Sequence, residues 1–286
     1  MTVAIRKLFW VSRPLLWLDT AFPFAAAYLV SGGHIDFTLI VGTLYFLWPY
    51  NLFLYGINDV YDYESDLLNP RKGGIEGMRE KRDFHPKIIK ATVLFNAPFV
   101  LYLLLQGSIV SKITLLAILF LVLAYSVRGL RFKEQPVLDS MTSSAHFVGP
   151  MVYALTLSIF TYNAWPYILA FFLWGMASQA FGAVQDIIPD RKANFKSIAT
   201  VLGARRTVYF AIMLYATATI LVISQGGFSI IVGLLGVLYI VNIARYWNVT
   251  DKTSYIANRA WRRFVWMNLF TGFIVTVVLL IASIWF

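Results

Sequence analysis

The sequence predicts an all-α polytopic membrane protein, with nine transmembrane helices in a bundle and the N-terminus in the cytoplasm. Three observations predict it. The 286 residues are 59% hydrophobic and only 13% charged, with a mean hydropathy of +0.69, whereas soluble domains carry roughly 25% charged residues. Nine apolar segments can be marked, each close to the length that crosses a hydrocarbon core of ~30 Å. Every lysine and arginine except Lys112 falls in or beside the loops on one side of that alternation, and the positive-inside rule makes that side cytoplasmic. The chain has no cysteine, which excludes disulfides and thiolate metal sites.

Taken in order, the first segment is Leu15–Val30. Arg13 and Pro14 lead into it with no small-residue cleavage site, so no signal peptide is expected. Asp19 lies one turn inside it, where an ionisable group is costly and more often functional than not. The uncharged turn Ser31-Gly32-Gly33 leads to Phe37–Ile57, crowded with Tyr45, Trp48, Tyr50, Phe53 and Tyr55. Lipid-facing and interfacial aromatics account for most such rings. The sharper alternative is an apolar cavity whose π faces stabilise a carbocation. Ile88–Leu105 and Ile113–Val127 follow, then Met141–Tyr162. Asn96 and His146 read as interhelical hydrogen-bonding groups. Trp165–Val184, Val208–Ile223, Phe228–Tyr246 and Phe264–Phe286 complete the set, with the uncharged turn Gln225-Gly226-Gly227 between the seventh and eighth.

The second segment runs into Asn58-Asp59-Val60-Tyr61-Asp62-Tyr63-Glu64-Ser65-Asp66. On a helix Asp59, Asp62 and Asp66 fall within one arc of about 60°, with Asn58 beside them. Three carboxylates on one stripe repel each other unless a cation sits between them. A solvated helix end explains an acidic run in general but gives no reason for a stripe. The string Asp66-Leu67-Leu68-Asn69-Pro70-Arg71-Lys72 is echoed by Asp186-Ile187-Ile188-Pro189-Asp190-Arg191-Lys192, 120 residues later. Both strings follow an even-numbered segment. Segments one to four and five to eight are therefore expected to form a parallel repeat with segment nine added, in a single domain over residues 1–286.

Five aspartates without a histidine or cysteine partner argue against zinc, iron or copper. They suit Mg²⁺, which takes carboxylates together with phosphate oxygens and water. A site of that kind binds a diphosphate. Arg71, Lys72, Arg128, Arg131, Lys133, Arg191 and Lys192 would neutralise the oxygens that the metal leaves uncovered, with topology and lipid head groups as the competing reason for each. Asn51 and Tyr55 lie inward from Asn58 and Asp62 on the same face, and Gln179 lines up with Asp186, so all three are candidate substrate contacts. The expected chemistry is ionisation of a prenyl diphosphate to an allylic cation, which a lipophilic acceptor from the membrane attacks. Asp19 is the candidate base. A transporter is the rival from another class, but it would place ionisable groups near the bilayer midplane and often use inverted repeats. The net charge of +10 is read as topology and membrane-lipid contact, with no nucleic-acid partner.

These residues resemble the UbiA superfamily of intramembrane prenyltransferases. That family's first motif, Asn-Asp-x-x-Asp-x-x-x-Asp, is matched by Asn58, Asp59, Asp62 and Asp66, and its second, Asp-x-x-x-Asp, by Asp186 and Asp190. A third signature is similar to Tyr125-Ser126-Val127-Arg128-Gly129-Leu130-Arg131-Phe132-Lys133. The resemblance implies a nine-helix bundle around a central cavity that opens laterally to the bilayer. It also implies Mg²⁺ dependence, the five aspartates as metal ligands with Asn58 alongside, and Tyr125, Arg128 and Lys133 near the diphosphate. Within the superfamily, the stretch from Tyr63 to Gly77 and the strings Ser12-Arg13-Pro14 and Thr20-Ala21-Phe22-Pro23-Phe24 look like lycopene elongases. These attach C5 units from dimethylallyl diphosphate to lycopene. Dimethylallyl diphosphate and lycopene are thus the expected partners, and the cytoplasmic membrane of a prokaryote the expected location. An aromatic acid, a quinone precursor or a glycerol-phosphate lipid is the alternative acceptor. Each carries an anion or phenol that wants a polar partner within the cavity, whereas the basic residues here all lie near segment ends.

Overall fold

The computed structural model describes residues 3–67, 69, 72–73, 78–158 and 164–285. Its regular structure is helical: α1 (Val3–Val11), α2 (Leu18–Val30), α3 (Phe37–Leu47), α4 (Pro49–Tyr61), α5 (Tyr63–Leu67), α6 (His85–Leu105), α7 (Ile109–Ser126), α8 (Leu138–Leu157), α9 (Trp165–Val184), α10 (Ile187–Lys192), α11 (Ile198–Leu202), α12 (Ala204–Ile223), α13 (Ser229–Ala244) and α14 (Asn258–Trp285). Among the described residues, six stretches are long and apolar enough to cross a membrane: Phe37–Tyr61, Arg82–Leu105, Ile109–Ser126, Trp165–Val184, Ala204–Ile223 and Asp251–Ala282. Pro14–Val30 and Ser229–Ala244 are shorter apolar helical stretches. Helix α8 covers the described part of the expected fifth segment up to Leu157, and its serines, threonines, histidine and Asp139 make it less apolar than the six stretches named above; residues 159–162 of that segment lie outside the described residues.

The chain divides into two compact units, Met1–Phe132 with His146–Phe160, and Lys133–Ala145 with Thr161–Phe286. The division falls inside α8.

In the first unit α4 packs on α1, α3, α6 and α7. The expected second segment is not one straight helix. Pro49 has no N–H to give, and Trp48 (φ −125°) marks a break between α3 and α4. The break leaves α3 carbonyls without helical donors. Asn51 supplies them: its amide donates to the carbonyls of Phe46 (2.8 Å) and Leu47 (3.0 Å) and to Thr20 Oγ1 (2.7 Å). Much of the aromatic run is core. Tyr45, Phe46 and Tyr50 are fully buried, with ring centroids 4.9 Å apart for Tyr45–Phe46 and 5.2 Å for Phe46–Tyr50. Phe24 joins them at 5.1 Å from Phe46. Gly42 lets Phe24 approach, since a Cβ there would lie 2.1 Å from the ring. Tyr45 and Tyr50 thus belong to the buried interior of this unit and do not face lipid. Asn96 donates to the Pro49 carbonyl (2.8 Å), the interhelical bond expected of it.

In the second unit α9 packs on α12, α12 on α13, and α13 on α14. Phe181, Tyr215, Tyr239 and Phe264 form its core, with Trp174 and Trp261 against it. Polar groups there are paired: Ser178 with the Tyr215 hydroxyl (2.9 Å), and Tyr239 with Thr271 (2.7 Å).

Candidate active site

The two acidic motifs share one local form. Helix α4 ends at Tyr61, and Asp62 is a bend (φ −95°, ψ −1°) before the short helix α5 that carries Asp66. Helix α9 ends at Val184, and Asp186 is a bend (φ −98°, ψ −2°) before the short helix α10 that carries Asp190. In each, the second aspartate's N–H bonds the first one's carbonyl, Asp66 to Asp62 at 2.8 Å and Asp190 to Asp186 at 2.9 Å. The equivalence is therefore Asp62–Asp66 with Asp186–Asp190. This shifts the sequence echo by one turn, because the string match had set Asp66 against Asp186. Asp59 then aligns with Ala183 and has no acidic counterpart.

The first unit pairs each first-motif aspartate with a cation. Asp59 accepts from Arg13 Nη2 at 2.7 Å, Asp66 lies 3.3 Å from Lys72 Nζ, and Asp62 lies 3.8 Å from Arg131 Nη2. All three carboxylates are buried. Asp59 has a further partner, the Met78 N–H at 3.2 Å, so both of its oxygens are engaged within the protein. Asp66 is different. Its Oδ2 is buried with no hydrogen-bond partner. Burial pushes its carboxyl up to about 6, and Asp62 and Asp59 add to the rise against the opposing Lys72. Burial works against the charge on Arg13, yet Asp59 beside it holds the guanidinium above its ordinary value. An orphaned carboxylate oxygen among hard oxygen donors fits a magnesium ion. Among the described residues no three His, Cys, Asp or Glu side chains converge as a closed metal cage. An ion held here would complete its shell with substrate oxygens and water, which is the usual manner of Mg²⁺.

The other sequence candidates separate. Asn58 Oδ1 accepts from Ser126 Oγ at 3.0 Å, which ties the first motif to the end of α7 beside Tyr125. Tyr125 sets its ring edge-on to His146 at 5.2 Å. Arg128 is exposed and Lys133 buried. Arg71 lies outside the described residues. Tyr55 lies under the Arg13 guanidinium, 4.2 Å from ring centroid to Cζ, so that face is already taken by a cation. Asp19, half-buried in the first turn of α2, interacts electrostatically with Tyr55. Asn51 is fully buried and its amide nitrogen closes the α3–α4 break, while its Oδ1 is buried without a hydrogen-bond partner.

In the second unit Gln179 accepts from Ser143 at 3.0 Å, and Lys192 is exposed. Arg191 pairs with Asp251 at 2.7 Å and donates to the Thr200 carbonyl at 2.9 Å. Asp251 also accepts from the Ala204 N–H (2.7 Å), capping α12, and buried Asp139 accepts from the Ile198 N–H (2.8 Å), capping α11. Sequence reasoning missed Arg13, Asp139 and Asp251. The signal for Arg13 was a basic residue abutting an apolar segment on the same side as the aspartates. Asp139 and Asp251 gave none beyond standing near segment starts.

A sequence model of the UbiA prenyltransferase family matches residues 20–270. The C(50) beta-cyclic carotenoids biosynthesis protein LbtBC of Dietzia sp. strain CQ4 is 46% identical over 279 residues, 96% of this chain and 65% of that protein. This chain thus spans less than two thirds of that relative's length. The lycopene elongase/hydratase of Corynebacterium glutamicum is 43% identical over 282 residues, 98% of each chain. A UbiA homolog from Archaeoglobus fulgidus, solved bound to DMAPP and Mg²⁺, superposes with a TM-score of 0.68 over 93% of this chain and 99% of that one. At 17% identity that likeness is one of fold. The chain belongs to the UbiA prenyltransferase family.

Proposed function

We propose that this chain transfers a dimethylallyl group from its diphosphate to lycopene, as a lycopene elongase of C50 carotenoid synthesis. The observation that carries this reading is the 43% identity to the Corynebacterium glutamicum lycopene elongase/hydratase over 98% of both chains. The proposed arrangement has nine spans, the N-terminus and both acidic motifs on the cytoplasmic face, and the membrane of a prokaryote as location. Asp62 and Asp66, and by the same local form Asp186 and Asp190, are the proposed magnesium ligands. Asp59 is set apart from them, since Arg13 and the Met78 N–H hold its oxygens.

Magnesium, when bound, withdraws charge from the leaving diphosphate and eases ionisation of the allylic C–O bond. The chain's own residues do the rest. Lys72 and Arg131, released from Asp66 and Asp62, turn to the diphosphate oxygens. Attack by a terminal double bond of lycopene leaves a tertiary cation, and either proton loss or water capture ends the reaction. Asp19 is the proposed base for that step. The test is expression in lycopene-producing membranes supplied with Mg²⁺ and dimethylallyl diphosphate, followed by mass analysis of the carotenoids. C45 and C50 products are expected, and their absence would overturn the acceptor while leaving the family membership intact. Asp19→Asn is expected to keep diphosphate binding and to block or redirect product; unchanged turnover and product would remove Asp19 from the mechanism.

A further inference from the structure

Arg13 stands outside both acidic motifs, yet it is fastened to the first motif's Asp59. Its Nη2 lies 2.7 Å from Asp59 Oδ1, and its guanidinium lies over Tyr55, with Cζ 4.2 Å from the ring centroid. The longer pairs, Lys72–Asp66 at 3.3 Å and Arg131–Asp62 at 3.8 Å, are looser. Arg13 Nε is buried and has no hydrogen-bond partner. A buried donor left unsatisfied costs free energy that an arriving acceptor recovers. Asp59 already accepts from Nη2, so the Nε–H is the donor that awaits a second anion.

The backbone points the same way. Arg13 is left-handed (φ 53°, ψ 71°) at the turn between α1 and the short Pro14–Leu16 helix. That position ordinarily favours glycine. Arg131 is left-handed as well (φ 41°). Of the four non-glycine residues with positive φ among those described, two are arginines, and both pair with a first-motif aspartate. Strain kept at such positions is characteristic of functional sites. The turn is also braced from both sides: Lys7 on α1 is ion-paired with Glu80, and Asp59 holds the Met78 N–H of the same loop.

Resting on the function proposed above, we infer that Arg13 is a binding residue for the donor's diphosphate. Asp59 is its anchor: it holds the guanidinium over Tyr55 through Nη2 while the Nε–H is given to a phosphate oxygen. The pair stays intact through the reaction, in contrast to Lys72 and Arg131, whose aspartates pass to the metal. An arginine is needed because a lysine ammonium lacks the fixed planar donors that bond the anchor through Nη2 and the phosphate through Nε.

The test uses the full-length chain in detergent. The probe is dimethylallyl thiolodiphosphate, a donor analogue that resists ionisation, titrated calorimetrically in excess Mg²⁺, with Mn²⁺ binding followed separately by electron paramagnetic resonance. Arg13→Gly suits the left-handed backbone and removes the guanidinium; Arg13→Lys keeps the charge. Both are expected to weaken analogue binding at least about tenfold, the worth of a charge-assisted hydrogen bond, with Mn²⁺ affinity unchanged. Asp59→Asn is expected to weaken the analogue by less, again with Mn²⁺ affinity unchanged. Analogue affinity equal to wild type in both Arg13 variants would overturn the assignment, and so would an equal loss of Mn²⁺ affinity. Wild-type protein that fails to bind the analogue would overturn the donor reading itself, which distinguishes the two failures.

Discussion

Asp66 has a buried oxygen with no partner and a carboxyl pushed up to about 6 by burial and by its acidic neighbours. Asp59, three residues before the bend, has both oxygens satisfied. The two should respond differently to the same change. Asp66→Asn is expected to lower product formation by about 100-fold or more, the scale of losing a group that stabilises developing charge. Asp59→Asn is expected to cost about tenfold, as for a group that orients others. Rates measured across a Mg²⁺ titration check this, and excess Mg²⁺ should rescue neither fully. Equal losses would place Asp59 back among the ligands. Arg191 gives a second contrast. Its pair with Asp251 is roughly half exposed on the arginine side, so the pair contributes about 0–1 kcal/mol. Arg191→Ala and Asp251→Asn should therefore match within about fivefold in kcat/KM if Arg191 serves only its own unit. A far larger loss for Arg191→Ala alone would show that it reaches the diphosphate. The aspartates were legible in the sequence because charge beside an apolar segment is conspicuous. Their partners were not, since Arg13 and Asp59 stand 46 residues apart and no local spacing announces an ion pair of that separation.

At the scale of elements, the break between α3 and α4 positions everything that follows it on α4, from Tyr55 to the Asp62 bend. Pro49 creates the break and Asn51 repairs it. Asn51→Leu is close in volume but removes two buried donors, so the carbonyls of Phe46 and Leu47 and Thr20 Oγ1 lose a partner. The expected loss of stability is about 2 kcal/mol, the cost of buried groups left unsatisfied, read as a lower midpoint for unfolding in detergent. Analogue binding by the folded fraction should be unchanged. A loss of binding without loss of stability would show Asn51 to be a substrate contact. The sequence showed Asn51 only as a polar group on the inward face of an apolar segment, a description that fits a ligand and a helix clamp equally. What separated them was the helix break, which Pro49 signals, although an internal proline in a long apolar run often produces only a kink. The repeated bend was half legible. Two aspartates four apart were visible twice, but the string match rewarded the neighbouring Arg-Lys pair and set the register one turn off.

For the whole molecule, the proposed nine-span order rests on charge asymmetry, since six stretches among the described residues are long and apolar enough to cross a membrane. Positive-inside counting is a strong constraint because one miscounted span would exchange the sides of every loop after it. The chain offers a direct check, since it has no native cysteine and each introduced thiol is the only one present. Arg6→Cys, Arg128→Cys, Asn194→Cys and Lys252→Cys should be labelled by a membrane-impermeant maleimide only after the cytoplasmic side is opened. Ile35→Cys, Ser108→Cys and Ser224→Cys should be labelled in intact cells. Ile35 and Ser108 are exposed, as are Arg128 and Lys252, so labelling reports sidedness and not burial. The informative pair is Arg128→Cys with Asn194→Cys, because α8 and α9 lie between them. Helix α8 is the least apolar of the long helices and the one divided between the two compact units. If α8 fails to span, the two positions exchange sides relative to one another, and the second motif leaves the face that carries the first. Labelling of both from the cytoplasmic side would keep all five motif aspartates on one face, as a single diphosphate-binding reaction requires.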